Sequence, residues 1–214
     1  MYKTVFFDLD GTVLDTVPDI RAVLNGTLAA FNLPPVSERQ TKEFVGNGAY
    51  ELVRRAAGEN CENLQEIYAR YVADFAACEN GLSTLYDGEE EVLSALKERG
   101  VRLGIVTNKP QKATLNVYEK FFKRFGFFYV QGQEEGVPLK PSPQGVLNAV
   151  EKFALDKREC LFVGDGETDV LTAANAGLDC VSVLWGYRTR EQLLKAGATR
   201  FAENFKKLQR EILG

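Results

Sequence analysis

The 214-residue chain contains no histidine. That absence removes Ser-His-Asp and Cys-His hydrolases and most zinc and haem enzymes, because nothing supplies an imidazole base or ligand. Acid–base chemistry falls to carboxylates, lysine, tyrosine or metal-bound water. Cysteine is sparse: Cys61, Cys78, Cys160 and Cys180 are scattered without C-x-x-C spacing, which excludes a zinc ribbon and reads as reduced packing residues. No uncharged apolar stretch approaches the roughly 18 residues of a membrane span. Met1-Tyr2-Lys3-Thr4 leads into a short apolar run ending in acids rather than into a signal-peptide cleavage region, so a cytoplasmic location is expected. A surplus of either charge is also lacking: 26 basic against 30 acidic residues give −4, no footprint for nucleic acid or an anionic membrane. The expected partner is a small molecule, with the chain acting as a monomer or weak homodimer.

What is present, 45% hydrophobic and 26% charged residues, suffices for one large core with a smaller one beside it. Lys3–Asp8 is β-branched and aromatic and stops at an acidic turn, which predicts a buried strand ending at Asp8. The pattern then becomes helical: Ile20, Val23, Leu24, Thr27, Leu28 and Phe31 share one face. Ser37-x-x-Gln40 has capping-box spacing, two short helices flank Gly46-Asn47-Gly48, and Leu64–Phe75 carries a long apolar stripe. From about residue 88 helices and strands alternate, with strands expected at 101–106, 127–130, 160–164 and 180–184, and a last helix near 203–213. A helix placing Leu115, Tyr118, Phe121 and Phe122 on one side is expected between the first two of these. Phe121–Phe128 reads as core packing. Alternating βα units predict an α/β fold: a Rossmann-like parallel sheet with helices on both faces, formed by 1–15 and 82–214, and an inserted all-helical lobe over 16–81.

Ligands of open parallel sheets bind beyond the carboxyl ends of the strands, so the strand-terminal residues matter most. They are Asp8, Thr107 and Asp165. Asp8 and Asp10 alternate onto one face, Gly11 permits a tight turn, and Thr12 can fix that turn by hydrogen bonding. Gly164-Asp165-Gly166-Glu167-Thr168-Asp169 brings two more carboxylates to another strand end. Acids so crowded require a cation, and their hard oxygens suit Mg²⁺. Lys140 stands on a stiff Lys140-Pro141-Ser142-Pro143 segment, with Ser142 expected to cap a helix beginning at Pro143. Taken singly, Asp-Gly is ordinarily just a turn; the ordered set at strand ends is what carries chemistry.

Phe7-Asp8-Leu9-Asp10-Gly11-Thr12, Thr107-Asn108, Lys140-Pro141 and Gly164-Asp165-x-x-x-Asp169 resemble the four motifs of the haloacid dehalogenase superfamily of phosphohydrolases, over essentially the whole chain. Val45–Ala49, Val106–Pro110 and Leu184–Tyr187 are similar to its phosphoglycolate phosphatase group. The resemblance implies Asp8 as nucleophile, Asp10 as general acid and base, and Mg²⁺ held by Asp8, the Asp10 backbone carbonyl, Asp165 and supporting Asp169. It further implies Thr107 and Lys140 as phosphoryl and nucleophile partners, with Gly11 and Asn108 lining the phosphate site. Gly166 departs from the small hydroxyl residue common there, which puts the rigidity of that loop in question. On the inserted lobe, Gly46-Asn47-Gly48, with Lys42 and Arg54 nearby, are expected to read the leaving group; the competing reading is that Gly46 and Gly48 only punctuate helices and Arg54 and Arg55 form a solvated face. Trp185 and Tyr187 either line the pocket or pack. The expected substrate is a small phosphate ester such as 2-phosphoglycolate; a pyrophosphatase, a sugar or nucleotide phosphatase, a phosphomutase and a non-catalytic binding module are the rival readings.

Overall fold

In a computed structural model, which describes every residue except Glu59 inside the expected 16–81 insert, Thr4–Phe7 forms β1, buried along its whole length. Its side chains alternate between two cores. Val5 and Phe7 pack on one sheet face, whereas Phe6 packs on the other. A fully buried phenylalanine contributes about 1.5–3 kcal/mol relative to an exposed one, so these two positions alone commit β1 to a central place.

Four helices follow: α1 (Val17–Ala30), α2 (Glu38–Phe44), α3 (Ala49–Ala57) and α4 (Leu64–Ala76). Ser37 and Gln40 close the expected capping box at α2 by reciprocal hydrogen bonds. Together these helices bury a cluster of their own, in which Leu24 and Leu28 of α1 meet Val53 of α3 and Ile67, Tyr71 and Phe75 of α4. The segments entering and leaving this helical unit hold each other. Asp15 and Thr84 exchange backbone hydrogen bonds of 3.0 and 3.2 Å, and the buried Asp19 carboxylate accepts from the Leu82 N–H and the Ser83 hydroxyl.

Then come α5 (Glu89–Glu98), β2 (Arg102–Pro110), α6 (Gln111–Val117), β3 (Tyr129–Gln133), α7 (Gln144–Lys152), β4 (Cys160–Gly164), α8 (Glu167–Ala176), β5 (Asp179–Val183), α9 (Arg190–Lys195), β6 (Phe201–Ala202) and α10 (Phe205–Leu213). All strand pairs are parallel, in the order β3-β2-β1-β4-β5-β6. Leu93 of α5 and Leu208 of α10 cover one face, and Val146 of α7 and Ala173 of α8 the other. The chain therefore winds outward from β1 in both directions, and the switch point lies between β1 and β4. Among the described residues no helix is long and apolar enough to cross a membrane. All four cysteines are free thiols.

Several boundaries differ from the sequence reading, each for a local reason. β3 starts at Tyr129 and takes in Gln131-Gly132-Gln133, because these polar residues pair with the extended tail of β2. Leu115 is 42% exposed because α6 buries Ala113, Thr114 and Val117 instead, and a π-turn at Tyr118–Phe122 then adds the extra residue that brings Phe122 onto that buried side. The Ser142 hydroxyl accepts from the Gln144 N–H at 3.3 Å, as a cap would, but Pro143 occupies the N-cap position, and the helix begins one residue later than expected. β6 spans only two residues, too short to leave a pattern, and displaces the start of α10 to Phe205.

Glu89, in the first turn of α5, is fully buried; one carboxylate oxygen accepts from the Tyr86 N–H and the other has no hydrogen-bond partner. Burial pushes its pKa up to about 9 from an ordinary 4.5. The folded protein thus keeps a proton that the unfolded chain releases, and stability falls as pH rises through that window. Glu89→Gln is expected to raise the stability by about 1 kcal/mol or more near pH 8 and to change it little near pH 4, read by urea denaturation at both pH values.

Candidate active site

Asp8 follows directly on β1, and its N–H donates to the Val163 carbonyl of β4 at 2.9 Å, which anchors it at the switch point. Leu9 turns into the core, leaving Asp8 and Asp10 on the opposite side. The chain then reverses tightly around the Leu9 carbonyl, which accepts from the N–H groups of Thr12, Val13 and Leu14. Gly11 has φ +87°, and a Cβ there would stand 2.5 Å from Asp165 Oδ2, so glycine is required both by conformation and by space. Thr12 does not lock this turn through its side chain as expected; its hydroxyl donates to Asp165 Oδ1 at 3.1 Å.

The end of β4 delivers the other acids. Asp165 Oδ2 accepts from the Tyr187 N–H at 2.7 Å. Asp169, in the first turn of α8, accepts from the Gly166 N–H at 2.9 Å, which is the return half of a capping box; the forward bond from a position-166 hydroxyl is missing, and the Asp169 N–H donates to the Gly166 carbonyl at 3.1 Å instead. The Gly166 N–H is thereby tied to α8 without a hydroxyl at that position. Gly164 is needed for the same approach, because a Cβ there would collide with the Asp169 side chain.

Lys140 reaches in from the loop before α7. Its ammonium lies 2.8 Å from Asp8 Oδ1 and 2.6 Å from Asp169 Oδ1, with the side chain 4% exposed. Asn108 fixes the backbone of Lys140, its side-chain oxygen accepting from the Lys140 N–H at 2.7 Å and its amide donating to the Lys140 carbonyl at 3.0 Å. The same amide donates to the Gly46 carbonyl of the helical insert at 2.9 Å. The Asn108 side chain is thus committed to backbone groups. Thr107 is buried and faces the cavity beside Asp8.

Oxygens of Asp8, Asp165 and Asp169 all lie within 4.8 Å of one another. Among the described residues Lys140 alone pairs with this cluster as a cation, so three carboxylates share one positive charge. Burial, only partly offset by Lys140, pushes Asp8 up to about 6. Burial and the charges of Asp169 and Asp8 push Asp165 up to about 7. Burial opposes the Lys140 ammonium, yet Asp169 and Asp8 outweigh it and hold its pKa above the ordinary value. Asp8 Oδ1 makes no well-formed hydrogen bond although it is buried. A desolvated, hard-oxygen cluster short of positive charge fits a divalent cation.

Asp10 stands apart from that cluster. Its Oδ1 accepts from the Thr16 hydroxyl at 2.7 Å and from the Lys109 ammonium at 2.8 Å. Oδ2 has no hydrogen-bond partner among the described residues, and Asp10 lines a small cavity of ≈ 40 Å³ together with Asp8. The insert roofs this cavity with Val45, Gly46, Gly48, Leu52, Tyr71 and Phe75. Asn47 instead lines a separate outer cleft with Lys42 and Arg55. Lys42 pairs with Glu38 and Arg54 with Glu51 on their own helices, so neither cation expected to read a leaving group lines the roofed cavity. Trp185 packs on Phe205 and donates to the Thr12 carbonyl, away from the cavity. The Tyr187 hydroxyl accepts from the Thr16 and Val17 N–H groups and donates to Asp15, serving as the missing cap of α1.

Two residues carried no signal for these roles in the sequence. Lys109 read as part of a motif without a function of its own. Arg188, whose guanidinium donates to the Lys42 and Val45 carbonyls and pairs with Glu167, clamps the loop before α3 to the sheet.

An α/β protein with a cluster of buried carboxylates at its switch point is the class these features define. A family model described as haloacid dehalogenase-like hydrolase matches residues 2–177, and the chain belongs to that family. It is 33% identical to a phosphoglycolate phosphatase of Vibrio parahaemolyticus, covering 96% of this chain and 94% of that one. It is 35% identical to a phosphoglycolate phosphatase of Vibrio cholerae, covering 91% and 89%. Among solved structures it resembles that of a predicted phosphoglycolate phosphatase from Haemophilus somnus, with a TM-score of 0.89 at 29% identity over 98% of this chain and 97% of that one.

Replacing Lys140 leaves the three acids without a contacting cation. Lys140→Met is expected to lower the unfolding free energy by about 3 kcal/mol in metal-free buffer, measured by urea denaturation with a chelator present.

Proposed function

We propose that the chain is a Mg²⁺-dependent phosphomonoesterase that hydrolyses a small phosphate ester, with 2-phosphoglycolate the leading substrate, through an aspartyl-phosphate on Asp8. The observation that carries this reading is Asp8 itself: a buried carboxylate at the switch point, gripped by Lys140, with a second carboxylate two residues on that lines the same small cavity.

Asp8 attacks phosphorus in line, and the bond to the ester oxygen breaks. Asp10 Oδ2 gives its proton to the departing alkoxide. The same carboxylate then takes a proton from the water that attacks phosphorus and releases Asp8. Thr107 offers its hydroxyl to the phosphoryl oxygens, and Lys140 offsets charge as the nucleophile and phosphate meet. Asp8, Asp165 and Asp169, with the Asp10 carbonyl, are the groups to hold Mg²⁺, which supplies Lewis-acid neutralisation of the phosphoryl charge. Repulsion between a carboxylate and a phosphate dianion makes such compensation necessary.

The helices α1–α4 act in this reading as a cap, moving about the paired segments at Asp15 and Thr84 to admit substrate and closing to exclude water. The small, largely apolar roof favours a compact leaving group over a nucleotide or a sugar bisphosphate.

Phosphate release measured with and without Mg²⁺, across 2-phosphoglycolate, sugar phosphates, nucleotides and pyrophosphate, tests the reading. Mg²⁺-dependent turnover led by 2-phosphoglycolate is expected, and Asp8→Asn is expected to reduce it about 10³-fold or more with the circular dichroism spectrum unchanged. An active Asp8→Asn protein would overturn the mechanism, and a different leading ester would overturn the substrate.

A further inference from the structure

Lys109 follows Thr107 and Asn108 in the tail of β2, and its carbonyl is held by the Thr114 hydroxyl at 3.2 Å. The side chain is only 2% exposed. Its ammonium sits 2.8 Å from Asp10 Oδ1 and 4.3 Å from the ring centroid of Phe75 on α4. An ammonium has three N–H donors. Asp10 takes one and is the sole hydrogen-bond acceptor for it among the described residues, while the Phe75 face offers a weaker, aromatic contact. A cation this desolvated retains capacity for a second anion, and satisfying it is favourable.

The cavity wall sharpens the point. Of the residues that line it, Lys109 is the only cation, and the insert contributes apolar side chains such as Ile20, Leu52 and Phe75. Lys140 serves Asp8 and Asp169, on the phosphoryl side. Asp10 thus presents its free oxygen to the leaving-group oxygen while its other oxygen holds an ammonium within the same small space.

We propose that Lys109, not the cations of the insert, determines leaving-group specificity, by binding a carboxylate carried on the carbon next to the ester oxygen. The proposal rests on the phosphomonoesterase reading and deepens it. It places charge recognition on the sheet and leaves only shape selection to the roof.

The test compares kcat/KM for 2-phosphoglycolate and for 2-hydroxyethyl phosphate, which has the same length and phosphate but an uncharged end. Wild-type protein is expected to prefer 2-phosphoglycolate by about 30-fold or more, and Lys109→Met to abolish most of that preference, chiefly through KM. Lys109→Arg is expected to recover part of it. Equal losses on both esters in Lys109→Met would make Lys109 a positioning residue for Asp10 and overturn the proposal. So would a preserved preference in the variant, or wild-type protein that does not distinguish the two esters. Binding keeps the test independent of turnover: Asp8→Asn protein is expected to bind 2-phosphoglycolate more tightly than 2-hydroxyethyl phosphate, and Asp8→Asn/Lys109→Met protein to lose that difference. Wild-type turnover of other phosphate esters but neither of these would overturn the proposal alone, whereas no turnover of any ester would overturn the phosphomonoesterase reading as well.

Discussion

The ion pair that Lys140 makes with Asp8 and Asp169 is the constraint around which the rest of the molecule is arranged. Three carboxylates cannot be buried within 4.8 Å of one another without compensation, and Lys140 is the compensation the chain itself provides. Much of the surrounding architecture keeps that lysine in position. Asn108 grips its backbone from β2, Gly164 clears space for Asp169, and the β1–β4 pairing fixes the distance between the strand ends from which the acids project.

Compensation remains incomplete, and that incompleteness is useful. Asp8 and Asp165 are held well above the ordinary carboxylate range by burial, so the cluster is poised to take up further positive charge. Asp10 lives under different terms: outside the cluster, it has a hydroxyl and an ammonium on one oxygen and, among the described residues, no hydrogen-bond donor on the other. Two acids separated by one residue therefore occupy unlike environments. In the proposed reaction one attacks and the other transfers protons, a division of labour that a chain without histidine has to build from carboxylates.

The sheet and the main site were legible because they rest on strong local signals. Buried β-branched and aromatic runs end in acids at Asp8 and Asp165, and a glycine follows or precedes each where space is tight. Lys140 was legible from its stiff, proline-flanked setting. Less visible were features set by tertiary pairing: the polar tail of β3, the two-residue β6, and the π-turn that brings Phe122 into the core. On the insert, Lys42 and Arg54 suggested a reader of the leaving group, but each has a glutamate one turn away that satisfies it locally. Lys109 gave no periodic or compositional hint, since its setting depends on Asp10, which is 99 residues earlier, and on a ring from another helix. Arg188 was invisible for the same reason, as its acceptors are main-chain carbonyls that any sequence would supply.

Tyr187 joins two parts of the molecule by its opposite ends. Its N–H orients Asp165, and its hydroxyl terminates the first helix of the insert about one side-chain length away. A swing of α1 therefore pulls on the same residue that aims an oxygen of the acidic cluster. The ligand geometry at Asp165 and the angle of the helical unit become mechanically linked variables, so that an ion drawn to the cluster would carry a preference for one orientation of the helices, and a shift of the helices would be registered as a change in ion affinity.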